Sequence, residues 1–306
     1  MNSHSLSVAP GALVEHFPPL LPQHRPWRKW ISLGLSLALL TGLAWKLGDV
    51  GFANALRDVP GNPLFWVAFA SYYFALPASE FLIFKRLWNI PRAGFKALIR
   101  KLICNEILFG YSGEAYFYTW ARRHAHLAAA PFGAVKDVSI LSAVAGNLIT
   151  LIMLVAAWPQ LGKVVPGFHG QAMLFSAAIL IGLSLAAFLF RRRIFSLPAH
   201  QLRMIFGIHI ARLLATLSLS GLMWKSALPD IAIGWLVILA TLQLLVSRLP
   251  FVPNKDLAFA VIALYLTGQN GVIGPLIGTI AILILLAHFT CGALIMLADI
   301  KAGPKS

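Results

Sequence analysis

Residues 97–122 read ALIRKLICNEILFGYSGEAYFYTWAR. The stretch is apolar enough to enter a membrane, yet it carries Asn105, Glu106 and Glu114 around a Gly110-Tyr111-Ser112-Gly113 break. Basic residues stand at both ends, Arg100 and Lys101 before it and Arg122 and Arg123 after it. A single span does not place both of its ends on the positively charged side of a bilayer. The pattern therefore predicts a hairpin that enters and leaves by one face, with its irregular tip buried in protein or lining a cavity.

The composition sets the frame around that hairpin. Of 306 residues, 59% are hydrophobic and only 11% are charged, against about 25% charged in soluble domains. Mean hydropathy is +0.79. These values predict an all-α polytopic membrane helix bundle rather than a pair of globular domains. The net charge of +15 comes from 25 Lys and Arg against 10 Asp and Glu. The basic residues lie in short runs between apolar segments, the positive-inside pattern, so their expected partner is an anionic lipid surface and not nucleic acid. Cys104 and Cys291 lie far apart in apolar surroundings and match neither a disulfide framework nor a metal-ligand spacing.

In chain order, residues 1–29 read as a cytoplasmic tail, 30–300 as the transmembrane domain and 301–306 as a C-terminal tail. The run 31–47 reads as an uncleaved first span, because a cleaved leader reaching Ala53-Asn54-Ala55 would exceed the usual 15–30 residues or so. Further spans are expected at 64–84, where Pro77 predicts a kink, and at 138–158, 171–190, 205–224, 231–249 and 272–298. The piece 194–204 reads as a separate amphipathic segment. Arg191-Arg192-Arg193 marks a cytoplasmic end, as do Lys301 and Lys305. The break Leu249-Pro250-Phe251-Val252-Pro253-Asn254-Lys255-Asp256 precedes an apolar run, 257–267, that is shorter than the roughly 20 residues a straight crossing requires. The total is seven to eight spans with one or two re-entrant or broken helices. Aligning Glu114 with Asp256 also superposes Phe109 on Phe251 and Phe117 on Phe259. Paired broken segments in the two halves of a chain are a sequence pointer to a transporter site.

Candidate site residues are the ionisable groups at membrane depth: Glu80, Glu106, Glu114, Arg212, Arg248 and Asp256, with Asn105, Gly113 and Arg122 around the hairpin. Each charge costs at least ~2.5 kcal/mol at a helix centre on insertion scales, so such groups should face a polar interior or one another. For Glu80 and Arg212 an internal salt bridge that only fixes packing is the leading alternative. At the hairpin tip, the second half-helix is expected to present free backbone N–H groups to a phosphate, with the two carboxylates beside it favouring a cationic group. Together they suit a zwitterionic or aminoacylated phospholipid headgroup. Tyr111, Tyr116, Tyr118 and Trp120 read as interfacial and packing residues, His124 and His126 as surface groups, and His288 as hydrogen-bonded packing. Gly274, Gly278 and Gly292 allow close helix approach. The chain has no Walker loop, HExxH, CxxC or G-x-S-x-G motif, and neither a cofactor nor a metal is expected.

The Asn105-Glu106 to Gly113-Glu114 segment, Arg122 after it and the late Leu249-Pro250…Asp256 break resemble the lysylphosphatidylglycerol synthase/flippase-type transmembrane domain. The resemblance covers roughly residues 30–300. It implies a bundle of about eight spans with re-entrant segments around a central lipid cavity. It also implies movement of a phospholipid with an anionic or aminoacylated headgroup between leaflets. The synthase activity, which belongs to a separate soluble domain, is not expected to transfer. Where the family tends to have a glycine-rich turn before its second acid, this chain has Pro253-Asn254-Lys255-Asp256. The expected function is thus a flippase-like lipid carrier in a bacterial plasma membrane. A lipid-modifying membrane enzyme and a non-catalytic scaffold are the alternatives.

Overall fold

The computed structural model describes residues 60–107, 112–124, 132–164, 194–249, 252, 254–267 and 271–302, with isolated positions between 171 and 182. Eight helices occupy them: α1 Pro63–Trp88, α2 Ala93–Ile107, α3 Ser112–His124, α4 Phe132–Val164, α5 Ala199–Ala227, α6 Ile233–Arg248, α7 Lys255–Thr267 and α8 Ile273–Ala302. There is no strand among the described residues. The apolar run 31–47, most of 171–190, the arginine triplet and the hairpin turn 108–111 lie outside them.

Local chemistry sets several boundaries. The Asn62 side chain accepts the Leu64 N–H at 2.9 Å, and Pro63 starts α1 where its missing N–H costs nothing. Asn89, at φ 50°, closes the same helix by donating its N–H to the Lys85 carbonyl. α1 is one continuous helix through Pro77. The piece expected at 194–204 is not separate, since α5 begins at Ala199 and runs on as a single helix. The turn before α5 is held by Asp137, a fully buried carboxylate on α4. Its Oδ2 accepts the Ser196 and Leu197 N–H groups at 2.7 and 2.8 Å.

Among the described residues, only α1, α4, α5 and α8 are long and apolar enough to cross a membrane. Each exposes large apolar side chains, among them Val67, Val155, Leu214 and Phe289, as helices bathed in hydrocarbon do. The span expected at 231–249 is instead the 16-residue α6, about 24 Å long at 1.5 Å per residue.

One end of the bundle is basic. The Lys85 and Arg86 end of α1 leads directly into α2. Asp299 near the end of α8 pairs with Lys96 and Arg100 on α2. Lys136 near the start of α4 donates to Ser196 beside the start of α5. α2 and α3 pack antiparallel, because Gly113 lies against Lys101, Arg100 meets Tyr116, and Trp120 lies beside Gly94. The pair therefore rises from the basic face and returns to it.

The second short pair is the mirror of the first. Gly234 faces Gln160, Thr241 donates to the Met153 carbonyl and Arg248 packs on Gly146, so α6 runs antiparallel to α4 from the opposite face. It stops near the middle of α4. Gly274 packs on Leu264 and Thr267, so α7 runs back out to the face where α8 begins. The tips of the two pairs meet: the Asn254 N–H donates to the Glu106 carbonyl at 3.0 Å.

The helices also fall into two sets with the same order, long, short, short, long. The displacement that takes Glu114 to Asp256 moves the first four helices onto 205–230, 235–249, 254–266 and 274–306. The helices found there are Ala199–Ala227, Ile233–Arg248, Lys255–Thr267 and Ile273–Ala302. Each member of the second set runs in the opposite direction to its counterpart.

Candidate functional site

Half-way along the long helices, where a bundle of this composition should be apolar, the chain gathers its charges. The first group centres on Lys101 of α2, which is 4% exposed. Its ammonium is bonded to Glu80 of α1 and lies 3.3 Å from Glu114 Oε1 of α3. The second oxygen of Glu114 is buried without a hydrogen bond among the described residues. Arg212 of α5 donates to Ser142 of α4 at 3.2 Å, lies in the field of Glu80 and Tyr72, and leaves its buried Nε unpartnered among the described residues.

The reading of Lys101 as part of a surface basic cluster is thus overturned. Arg100 and Lys101 are consecutive residues on a helix and point about 100° apart. Arg100 reaches Asp299 and Tyr116 at the basic end, whereas Lys101 turns inward. The signal was present in the sequence. Lys101 shares its helical face with Ala97, Leu98 and Asn105, so the periodicity that buries Ala97 and Leu98 also buries Lys101.

The second group surrounds the start of α7. Glu106 Oε2 accepts the Lys255 N–H at 3.4 Å. Lys255 donates its ammonium to the Ser247 carbonyl at 2.9 Å, at the end of α6. Gln243 of α6 donates to the Tyr72 hydroxyl at 2.9 Å. Arg248 bonds Ser247 Oγ at 2.8 and 3.0 Å. The two groups are electrically continuous. Tyr72 lies in the fields of Asp256, Glu106 and Arg212, and Lys255 in that of Glu114.

Asn105 and Glu106 divide their work between two helices. Asn105 Oδ1 accepts the Gly113 N–H at 2.7 Å and caps α3. Glu106 caps α7. Ser112 donates to the Cys104 carbonyl at 2.8 Å. The N-terminus of α3 therefore offers fewer open N–H groups than expected, because Asn105 already fills one of them. Gly113 is there for space, since a Cβ at that position would run into the Lys101 carbonyl.

Of the expected site residues, Glu80, Asn105, Glu106, Gly113, Glu114, Arg212, Arg248 and Asp256 converge on this layer. Arg122 does not: it is exposed near the basic end of α3, 5.8 Å from the Tyr118 ring. Lys101, Lys255, Gln243 and Tyr72 belong to the layer and were not singled out. His288 is buried and bonded to Tyr73 at 2.9 Å, in the packing role expected of it. Cys104 and Cys291 are free thiols, and no group of three or more His, Cys, Asp or Glu could hold a metal among the described residues. The layer matches four carboxylates with four cations. Buried charges are held this way only where each has a partner or a polar ligand arrives to supply one. Comparison with family models, with curated proteins and with solved structures gives no match to this chain.

Proposed function

We propose that the protein is a membrane carrier built as an inverted repeat, with its site where two re-entrant hairpins touch. The observation that carries the reading is the contact between Glu106 and the start of α7. It joins half-depth helices that come from opposite faces, at the level of the charged layer. Inverted repeats with discontinuous helices meeting at mid-depth are how many secondary transporters place their sites. In this reading the basic face is cytoplasmic by the positive-inside rule, the N-terminus is cytoplasmic and the membrane is a bacterial plasma membrane.

The cargo is a polar lipid. The layer is balanced in charge, which suits a headgroup carrying both signs or a neutral polar one. On its opposite-face side lies a groove of about 240 Å³ between α4, α5 and α6, lined by Met153, Leu217, Gly221, Trp224, Leu236 and Ala240. Leu217 lies little more than one turn beyond Arg212 on α5, so a headgroup at the layer can lay an acyl chain in the groove. The resemblance to the lysylphosphatidylglycerol flippase-type domain supports the same class. A purely structural scaffold would pair every buried group, whereas Glu114 Oε2 and Arg212 Nε have no hydrogen bond among the described residues.

The test is lipid movement in vesicles of phosphatidylethanolamine and phosphatidylglycerol carrying a tail-labelled fluorescent phospholipid. Dithionite added outside bleaches only the outer leaflet. Wild-type protein is expected to expose the inner-leaflet label, and Glu114→Gln to slow that exposure at least tenfold. Equal rates for protein-free, wild-type and variant vesicles would sink the reading.

A further inference from the structure

Six buried side-chain polar atoms make no hydrogen bond among the described residues. One of them, Asp137 Oδ1, has the Lys136 ammonium at 3.6 Å. The other five belong to Glu114, Ser139, His209 and Arg212, and the helices bring these four residues together. Phe117 of α3, Val138 and Leu141 of α4 and Ile205 of α5 form part of one buried apolar cluster on the basic side of the charged layer. Glu114 lies one turn before Phe117 on a helix that runs toward the basic face, and His209 lies one turn after Ile205 on a helix that runs away from it. Ser139 and Ser142 follow Val138 and Leu141 and share another side of α4, as His209 and Arg212 share one side of α5. Arg212 donates to Ser142 at 3.2 Å. The four residues therefore border the inner edge of that cluster, and His209 is fully buried there.

The orphaned atoms divide by chemistry. Arg212 Nε, the Ser139 hydroxyl and the imidazole of His209, which keeps an N–H in either tautomer, offer donors. Glu114 Oε2 offers an acceptor. The neighbouring charges do not use them up. Glu80 and Glu114 Oε1 both go to Lys101, whereas Arg212 meets a hydroxyl rather than a carboxylate. Arg248 of α6 packs on Gly146, one turn beyond Ser142, so two guanidinium groups follow one another along α4. A buried site with donors around a cation on one side and a carboxylate oxygen on the other is completed by a ligand that carries an anion and an ammonium.

We propose that Arg212, His209 and Ser139 seat the phosphate of a phospholipid headgroup and that Glu114 Oε2 receives its primary ammonium, which makes the cargo phosphatidylethanolamine. The proposal rests on the reading of the layer as a polar-lipid site and narrows what that site takes. A guanidinium recognises phosphate oxygens through its planar fork of N–H groups. A trimethylated headgroup has no N–H to give to Glu114. Phosphatidylglycerol brings no cation, and its aminoacylated form adds a net positive charge to a layer already balanced in charge. The phosphate seat is therefore between α4 and α5 and not at the N-terminus of α3, where Asn105 already accepts the Gly113 N–H.

The test is native mass spectrometry of the full chain released from micelles that hold equal amounts of phosphatidylethanolamine, phosphatidylcholine and phosphatidylglycerol with identical acyl chains. Wild type is expected to retain phosphatidylethanolamine over the other two by about tenfold, the ratio that one charge-assisted hydrogen bond supplies. Arg212→Gln should lower retention of all three alike, with partial recovery in Arg212→Lys. Ser139→Ala, which removes a single hydroxyl, should lower all three to a smaller degree and carries the test of the phosphate seat if Arg212→Gln does not fold. Glu114→Gln should abolish the preference for phosphatidylethanolamine while the other two lipids stay bound, a change of selectivity that a packing role would not produce. Equal retention of the three lipids by wild type, an unchanged preference in Glu114→Gln, or unchanged retention in Arg212→Gln or Ser139→Ala overturns the proposal. So does displacement of the bound lipid by inorganic phosphate alone, which would make the seat one for a free anion. Selective retention without lipid movement in the vesicle assay removes the carrier reading and keeps this site, and movement without selectivity does the reverse.

Discussion

The two hairpins share a geometry and differ in what holds them. α2/α3 is fastened by charge. Asp299 of α8 grips Lys96 and Arg100 near the basic face, and Lys101 binds Glu80 and Glu114 at depth. Its two arms close tightly enough that position 113 admits only glycine. α6/α7 has apolar flanks, and its arms touch over a shorter stretch. It carries Lys255 where the first hairpin has Gly113, and it is pinned chiefly at its tip, through Glu106 and Ser247. The same fold element is thus built once with internal ion pairs and once with caps and packing. The first is therefore the costlier to break.

Substitutions sharpen that contrast, beginning with the largest effect. Lys101→Met leaves the buried Glu80 and the partly buried Glu114 without their cation, and breaking a buried pair such as Lys101–Glu80 costs about 3–5 kcal/mol. A fall in thermal unfolding temperature well beyond that of Lys255→Met is expected, since Lys255 is only half-buried. Equal losses would erase the distinction between the hairpins. Gly113→Ala forces a methyl group against the Lys101 carbonyl, an overpacking cost of about 1–3 kcal/mol. Limited proteolysis should then cut near the first hairpin before the second. Glu106→Gln weakens a cap at a helix N-terminus, worth about 0.3–1 kcal/mol. Hydrogen exchange should speed at the first turn of α7 while α3, capped by Asn105, stays protected. The smallest effect is Asp299→Asn. Its ion pairs are substantially exposed, and surface pairs contribute about 0–1 kcal/mol. Stability should hardly change, while amide hydrogen exchange at the basic end of α2 rises and becomes insensitive to salt.

Much of this could be read along the chain because helix period and charge bias are local properties. The apolar runs located the four long helices among the described residues, and the breaks at 110–113 and 249–256 marked where chain direction reverses. The acids beside those breaks did prove to share a layer. Length was less reliable. The run 231–249 reads as a span, since its side chains are apolar whether they face lipid or protein, and only its antiparallel packing on α4 shows that it ends part-way. Lys101 was misplaced because its neighbour Arg100 does sit at the basic end. A run of basic residues gives one sidedness to residues that a helix points in different directions.

By itself, then, the sequence determined that this is a helical, membrane-embedded type of chain with buried carboxylates next to helix breaks. Composition and periodicity follow from each residue's own solvation and need no neighbour. Which charges meet was decided only in three dimensions. Glu80 lies on a different helix from Lys101, Glu106 is far in sequence from Lys255, and Gln243 looks like an incidental polar residue until the Tyr72 hydroxyl is seen beside it. Ion pairing and capping act over a few ångströms of space regardless of chain separation. The stretch 97–122 announced a hairpin; the fold supplied the second hairpin that it touches.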